Sequence, residues 1–137
     1  MNQFDFIKSY LYAFEKKHKR PFVVAVDFDG TLCEEAFPKI GEAKPLMLIL
    51  VKTLQELGVY TILWTCRSGK ELEEAKYWCQ QKGLVFDKYN DHADCFLEMF
   101  NCKSPKIFAD LYIDDKAYNA KHSVTDIVTL GEVLKNL

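Results

Sequence analysis

The stretch VVAVDFDGTL (residues 23–32) combines a run of apolar residues with two acidic side chains. Asp27 and Asp29 are separated by one residue, so in an extended chain their carboxylates point toward the same face. Gly30 follows directly and allows both a sharp turn and the close approach of a ligand to the backbone. Because unpaired carboxylates are costly at the end of an apolar strand, this stretch indicates a site for a cation or a reaction.

A second acidic pair, Asp114 and Asp115, ends the stretch YIDD (residues 112–115). Neighbouring residues in an ideal strand point in opposite directions, so only one of the two is expected to reach the site directly. Two carboxylates about 4 Å apart repel by roughly 4 kcal/mol at an effective dielectric constant near 20. A cluster of such acids therefore requires a cation, and a donor set made of oxygen atoms favours Mg²⁺.

A calcium-binding EF-hand does not fit the first acidic pair. Counting from Asp27 places Leu32 where the loop requires glycine and Pro38 at the twelfth position, where it requires glutamate. Phosphoryl transfer fits better, because a carboxylate is a known nucleophile in aspartyl-phosphate chemistry and magnesium can orient the phosphate. The hydroxyl of Thr65 could bind a phosphoryl oxygen, and a lysine, Lys106 or alternatively Lys103, could stabilise the transferring charge.

The elements that must position these residues follow from the spacing of apolar side chains. Strands are predicted at residues 22–28, 59–64, 84–86, 107–113 and 127–130, and helices at residues 1–20, 45–57, 71–82, 91–100 and 132–137. Apolar strands that alternate with helices predict an α/β fold, a Rossmann-like three-layer sandwich with a mainly parallel five-stranded sheet. Such sheets bind ligands at the carboxyl ends of their strands, where the winding order reverses, and both acidic pairs and Thr65 follow predicted strands.

Composition limits the class of protein. The 137 residues suit one domain, comprising an N-terminal helix at 1–20 and a core at 22–130, and 49% hydrophobic residues can form that core. A net charge of −2 does not indicate a nucleic-acid or membrane partner, and the basic run at 16–20 is typical of a helix end. An odd number of cysteines, five, without a CxxC pair predicts reduced thiols and a cytoplasmic location. Neither a signal peptide nor a membrane-spanning segment is expected.

Four motifs in order resemble the haloacid dehalogenase-like (HAD) phosphohydrolase superfamily: DFDGT at 27–31, LWTCR at 63–67, Lys106 and IDD at 113–115. The segment ADLYIDD at 109–115 is also similar to small deoxyribonucleotidases of that superfamily. About a dozen residues separate Thr31 from the second predicted helix, and the 40 residues between Thr65 and Lys106 are mostly used by predicted elements. The chain therefore resembles a member without a cap domain.

The resemblance implies a role for each matching residue. Asp27 would be the nucleophile and Asp29 the general acid and then base, while Thr65 and Lys106 would bind the phosphoryl group. The set implied around the substrate is Gly30, Thr31, Cys66 and Arg67. The set implied for Mg²⁺ is Asp27, the backbone carbonyl of Asp29, and the pair Asp114 and Asp115, with Asp115 the more direct ligand.

Several of these residues allow more than one interpretation. Arg67 could meet a substrate phosphate or form an ion pair with Glu71. Cys66 is interpreted as a small buried residue rather than a nucleophile. Asn90, with His92 and Asp94, could line the pocket, but a helix start is favoured.

The expected function is a magnesium-dependent phosphomonoester hydrolase that acts through an aspartyl-phosphate intermediate. One alternative is a nucleotidase or phosphotransferase of narrow specificity, and another is a non-catalytic module that binds phosphate and magnesium. Without a cap, the site would be open to a small-molecule or polymer-borne phosphate ester. A second subunit in a homo-oligomer could also cover it.

Overall fold

A computed structural model describes residues 2–101 and 104–117 of the chain. Its helices are α1 (Gln3–His18), α2 (Pro45–Glu56), α3 (Gly69–Gln81) and α4 (Asp94–Phe100), and its strands are β1 (Val23–Val26), β2 (Tyr60–Leu63), β3 (Lys88–Tyr89) and β4 (Leu111–Ile113). The predicted strand at 127–130, the predicted helical turns at 132–137 and Lys103 lie outside the described residues.

The strands form one parallel sheet in the order β3-β2-β1-β4. From β1 the chain moves outward on one side to β2 and β3, and it then returns to place β4 on the other side of β1. The winding order therefore reverses beside β1, which is where an open α/β sheet binds its ligand. The α/β fold with a parallel, Rossmann-like sheet is confirmed, with four strands in the described part of the chain.

The core lies on both faces of the sheet, as a strand buried on both sides requires. All four residues of β1 are buried, and alternate residues point to opposite faces. Val24 and Val26 pack with Val51 of α2 and Cys79 of α3, whereas Val23 and Ala25 pack in a cluster with residues of α4. This packing fixes β1, and with it the residues that follow β1.

Two strands begin later than predicted. Leu84 and Phe86 are buried, but pairing with β2 begins only at Lys88, so residues 84–86 add apolar side chains without forming a strand. One residue before this pairing begins, the N–H of Thr61 in β2 donates to the side-chain carboxylate of Asp87 at 2.8 Å instead of to a backbone carbonyl. Likewise, β4 begins at residue 111 rather than 107, because the Tyr112 hydroxyl bonds to the backbone of residues 107 and 109.

The two terminal helices of the described chain show how capping sets helix bounds. Asn2 caps α1 by accepting the Asp5 N–H, and the helix ends in basic residues, as predicted. The prediction that Asp91 caps α4 is wrong: Ala93 is the N-cap, and Asp91 accepts a hydrogen bond from the His92 N–H. None of the helices in the described ranges combines the length and the apolar character needed to cross a membrane.

Candidate functional site

Three carboxylates converge at the carboxyl ends of β1 and β4. Asp27 follows β1, its N–H donates to the Ile113 carbonyl at 2.9 Å, and Asp114 and Asp115 follow β4. One oxygen atom from each of the three acids lies within 4.8 Å of the others. The structure thus brings both members of the second acidic pair to Asp27, although only one was expected to reach it. The carboxylate of Asp29 does not belong to this cluster.

Gly30 and Thr31 hold the two acidic segments together. The Thr31 hydroxyl donates to Asp27 Oδ2 at 3.2 Å and accepts the Asp115 N–H at 3.1 Å. Gly30 has a φ of +84°, and a Cβ atom at this position would overlap Asp115 Oδ2. Glycine is therefore required here both by the backbone conformation and by the close approach of the Asp115 carboxylate.

The electrostatics of the cluster follow from burial and like charge. Burial raises the pKa of Asp27 to about 7, and the neighbouring charge of Asp114 adds to the shift. Burial also opposes ionisation of Asp115, but the ammonium of Lys116 and hydrogen bonds within the cluster outweigh it and lower the pKa of Asp115. A proton on Asp27 thus relieves the repulsion in the cluster, and a cation could take its place.

The donor set is compatible with a hard divalent cation. It consists only of carboxylate oxygens, and Asp114 and Asp115 are exposed, which leaves room for water or phosphate oxygens. A small pocket of about 220 Å³ adjoins the cluster. Its lining comprises Gly30, Thr31, Lys44, Met47, Ile113, Asp114 and Asp115.

Two lysines at the site, Lys116 and Lys44, were not predicted from the sequence. Lys116 Nζ lies 3.0 Å from Asp115 Oδ2, and Lys44 Nζ donates to the Gly30 carbonyl at 2.6 Å. Lys116 directly follows the acidic pair in the sequence, so its place at the site could have been predicted. Lys44 precedes the proline that opens α2, and only the path of the 31–44 loop brings it beside Gly30. Both lysines supply positive charge next to the carboxylates.

The loop after β2 is ordered by Asn90. The Asn90 side chain accepts the Thr65 N–H at 2.8 Å and donates to the Arg67 carbonyl at 3.2 Å, so it neither begins a helix nor lines the pocket described above. Thr65 Oγ1 accepts the Arg67 N–H at 3.1 Å, which leaves the hydroxyl hydrogen free to bind a ligand oxygen. Cys66 is exposed, which corrects the interpretation of it as a buried residue.

Within the described ranges, no hydrogen bond or ion pair joins Lys106 to the three carboxylates. The Lys106 side chain is exposed, and its Nζ lies 5.8 Å from the centroid of the Tyr112 ring. Among the described residues, Lys106 neither lines the pocket nor forms an ion pair with the acidic cluster. Its role as a phosphate ligand remains a prediction from the resemblance.

Arg67 corrects the prediction that it binds substrate, because its guanidinium donates to atoms of the protein. The residue is only 2% exposed, and its Nε and Nη2 donate to the two carboxylate oxygens of Asp29, both at 2.8 Å. The remaining N–H groups reach the backbone carbonyls of Pro38, Lys39 and Glu71. The predicted partner Glu71 thus contributes only a carbonyl, and all the guanidinium donors are used within the protein.

Comparison with known proteins identifies a solved structure that is similar to this chain. No family model and no curated protein matches the sequence. The structure of a conserved protein from Bacteroides thetaiotaomicron is 34% identical to this chain, covers 86% of it and 93% of its own length, and superposes with a TM-score of 0.62. At that identity and coverage, this chain belongs to the same family as the conserved Bacteroides protein.

Proposed function

We propose that this protein is a magnesium-dependent phosphomonoester hydrolase of the HAD type in which Asp27 is the nucleophile. The observation that supports the proposal is the convergence of Asp27, Asp114 and Asp115, with one oxygen of each within 4.8 Å of the others, at the point where the winding of the sheet reverses. The order of the four motifs leads to the same function.

Asp27, Asp114 and Asp115 would hold the magnesium ion. When bound, Mg²⁺ supplies positive charge that offsets the repulsion between these carboxylates and the negative charge of a phosphate group. The residues of the chain then perform the chemistry. Thr65 donates its free hydroxyl hydrogen to a phosphoryl oxygen, and Lys116 and Lys44 add positive charge beside the pocket.

The reaction has two displacement steps at phosphorus. In the first, an Asp27 carboxylate oxygen bonds to phosphorus while the ester P–O bond breaks. Asp29, which must start protonated on a lone pair that Arg67 does not occupy, gives that proton to the leaving oxygen. In the second, a water oxygen bonds to phosphorus, Asp29 takes the water proton, and the bond from phosphorus to Asp27 breaks. Inorganic phosphate leaves, and both aspartates return to their starting forms.

The substrate is proposed to be a phosphate ester presented at an open site. The pocket beside the carboxylates is only about 220 Å³, smaller than the clefts that enclose drug-sized ligands. Asp114 and Asp115 are exposed, so the alcohol part of an ester bound at these carboxylates could extend into solvent. The site therefore suits small-molecule and polymer-borne esters, and the similarity of ADLYIDD to deoxyribonucleotidases makes nucleoside monophosphates the first candidates.

A phosphate-ester panel tests the proposal. Purified protein is assayed with an aryl phosphate, nucleoside monophosphates and sugar phosphates, with Mg²⁺ and with excess chelator. We expect turnover that requires Mg²⁺ and is lost in Asp27→Asn. Absence of turnover on every ester, together with thermal stabilisation by Mg²⁺ and phosphate, would contradict hydrolysis and favour the non-catalytic binding module.

A further inference from the structure

Arg67 is the most completely enclosed cation of the described chain, and the proposed reaction does not use it directly. Its side chain has no exposed surface, and its guanidinium carbon lies 5.1 Å from the centroids of both the Phe28 and Phe37 rings. Phe28 stands between the two acids of the first motif, and Phe37 belongs to the following loop. Arg67 is therefore packed between these two segments.

The polar contacts of Arg67 join the same two segments. Two donors hold both oxygens of Asp29 at 2.8 Å, and two others reach the carbonyls of Pro38 at 3.1 Å and Lys39 at 2.8 Å. The loop also closes on itself, because the Glu34 N–H donates to the Glu42 carbonyl at 2.8 Å. The Arg67 side chain thus joins the carboxylate of Asp29 to the 34–42 loop.

This arrangement leaves Asp29 able to react. A carboxylate has about four acceptor positions, and the bidentate bond to Arg67 uses one on each oxygen. The Asp29 side chain also keeps 15% of its surface exposed, whereas the Arg67 side chain has none. A proton donor or acceptor held in this way has one orientation, which is what a group that must meet a leaving oxygen and then a water molecule requires.

We propose that Arg67 is a positioning residue that orients the carboxylate of Asp29 and ties it to the 34–42 loop, an inference that rests on the proposed function. Arg67 acts through Asp29 and does not contact the substrate. The rate of the chemical steps therefore depends on Arg67 only while Asp29 is present. Substrate affinity and magnesium affinity do not depend on Arg67.

A double-mutant cycle on kcat and KM tests this dependence. We expect Asp29→Asn to lower kcat by about 10²- to 10⁴-fold, as loss of a general acid-base group does. Arg67→Met should lower kcat by about tenfold or more while KM changes less than about threefold, and Arg67→Lys should restore part of the loss. In the Asp29→Asn background, Arg67→Met should change kcat by less than about twofold, because the group it orients is gone.

Arg20→Met is the matched control. Arg20 also forms a buried bidentate pair, with Asp110, and lies over aromatic rings at the other end of β1. Its loss should leave kcat of the folded enzyme unchanged. Additive effects of Arg67→Met and Asp29→Asn on kcat would overturn the proposal, as would an increase in KM with unchanged kcat, which would assign Arg67 to substrate binding.

Hydrogen exchange separates this proposal from the proposed function. In Arg67→Met, peptides covering residues 34–44 should exchange faster while those covering β1 keep wild-type protection. Unchanged exchange in residues 34–44 would overturn the link to the loop, whether or not the enzyme is active. Wild-type protein that hydrolyses no ester would instead refute the proposed function. The exchange experiment would still test whether Arg67 holds the 34–42 loop.

Discussion

The two ends of β1 carry the same kind of ion pair in different surroundings. At the amino end, Arg20 binds Asp110 at 2.7 and 2.9 Å, and Asp110 also accepts the N–H of Val23, the first residue of β1. At the carboxyl end, Arg67 also binds its partner, Asp29, through two donors, here Nε and Nη2 where Arg20 uses Nη1 and Nη2. Both pairs are largely buried, so burial and geometry alone do not distinguish a structural pair from one beside a site.

The difference lies in the charges next to each pair. Aromatic rings of Phe14, Phe96 and Phe108 surround Arg20, so the amino-end pair is balanced and enclosed. At the carboxyl end, Asp27 and Asp114 form no ion pair with any described residue, and the pKa of Asp27 is raised to about 7. The carboxyl end is therefore the candidate site because acids without a cationic partner lie there beside a pair whose charges are neutralised.

Removal of the proposed nucleophile should produce the largest difference between the two ends. We expect Asp27→Asn to lower kcat by at least about 10³-fold, because no other group forms the covalent intermediate. The measurement is steady-state hydrolysis of an aryl phosphate with saturating Mg²⁺. Asp110→Asn is the control at the amino end and should keep wild-type kcat, so a similar loss of kcat in both variants would contradict the distinction.

Breaking the amino-end pair should mainly affect stability. Arg20→Met leaves Asp110 buried without its cation, which typically costs about 3–5 kcal/mol in the free energy of unfolding. Chemical denaturation measures this cost, and the same variant assayed at low temperature should retain kcat. A variant that is as stable as wild type would show that the amino-end pair does not hold the fold together.

Gly30 gives a smaller effect that is specific to the carboxyl end. Gly30→Ala places a side chain at a φ of +84° and against Asp115, so we expect a cost of about 1–3 kcal/mol and weaker Mg²⁺ binding. Gly58 is a matched control, because it has a φ of +86° and a Cβ atom added there would meet no other residue within 4 Å. Equal stability losses and unchanged Mg²⁺ affinity in both alanine variants would contradict the role of the close contact with Asp115.

The pH dependence of stability is a further property that should distinguish the carboxyl end. The pKa of Asp27 in the folded protein, about 7, lies above its ordinary value of 3.8, so the folded state holds this proton more tightly than the unfolded chain. In chelator, the stabilising contribution of Asp27 is complete below pH 4 and is lost as the pH rises through 7. Relative to wild type, Asp27→Asn should therefore gain stability between pH 5 and 8. A constant difference across that range would contradict the raised pKa.

The same shift predicts how metal binding depends on pH. Because Mg²⁺ and the proton compete for Asp27, the affinity for Mg²⁺ should increase from pH 6 to pH 8. Calorimetry in buffers of different ionisation enthalpy should detect proton release on binding at pH 6 and little at pH 8.5. Proton release that does not change over this range would show that Asp27 is not the group displaced.

The sequence predicted the features that depend on local pattern and on rules of parallel sheets. The continuous apolar run before Asp27 indicated a buried strand, and the rule that ligands bind where winding reverses placed Asp27 and Asp114 at one edge. The Arg67–Asp29 pair could not be predicted in this way, because the two residues are 38 positions apart and meet only through the path of the 34–42 loop. The start of β3 was missed for a related reason, since it depends on the side chain of Asp87.

A crystal of the protein soaked in Mn²⁺, which has the ligand preferences of Mg²⁺ and a measurable anomalous signal, tests the central claim most directly. The convergence of the three carboxylates predicts an anomalous peak that is coordinated by an oxygen of Asp27 and by an oxygen of Asp114 or Asp115. A crystal that binds Mn²⁺ only at other acidic residues, with this cluster empty, would contradict it.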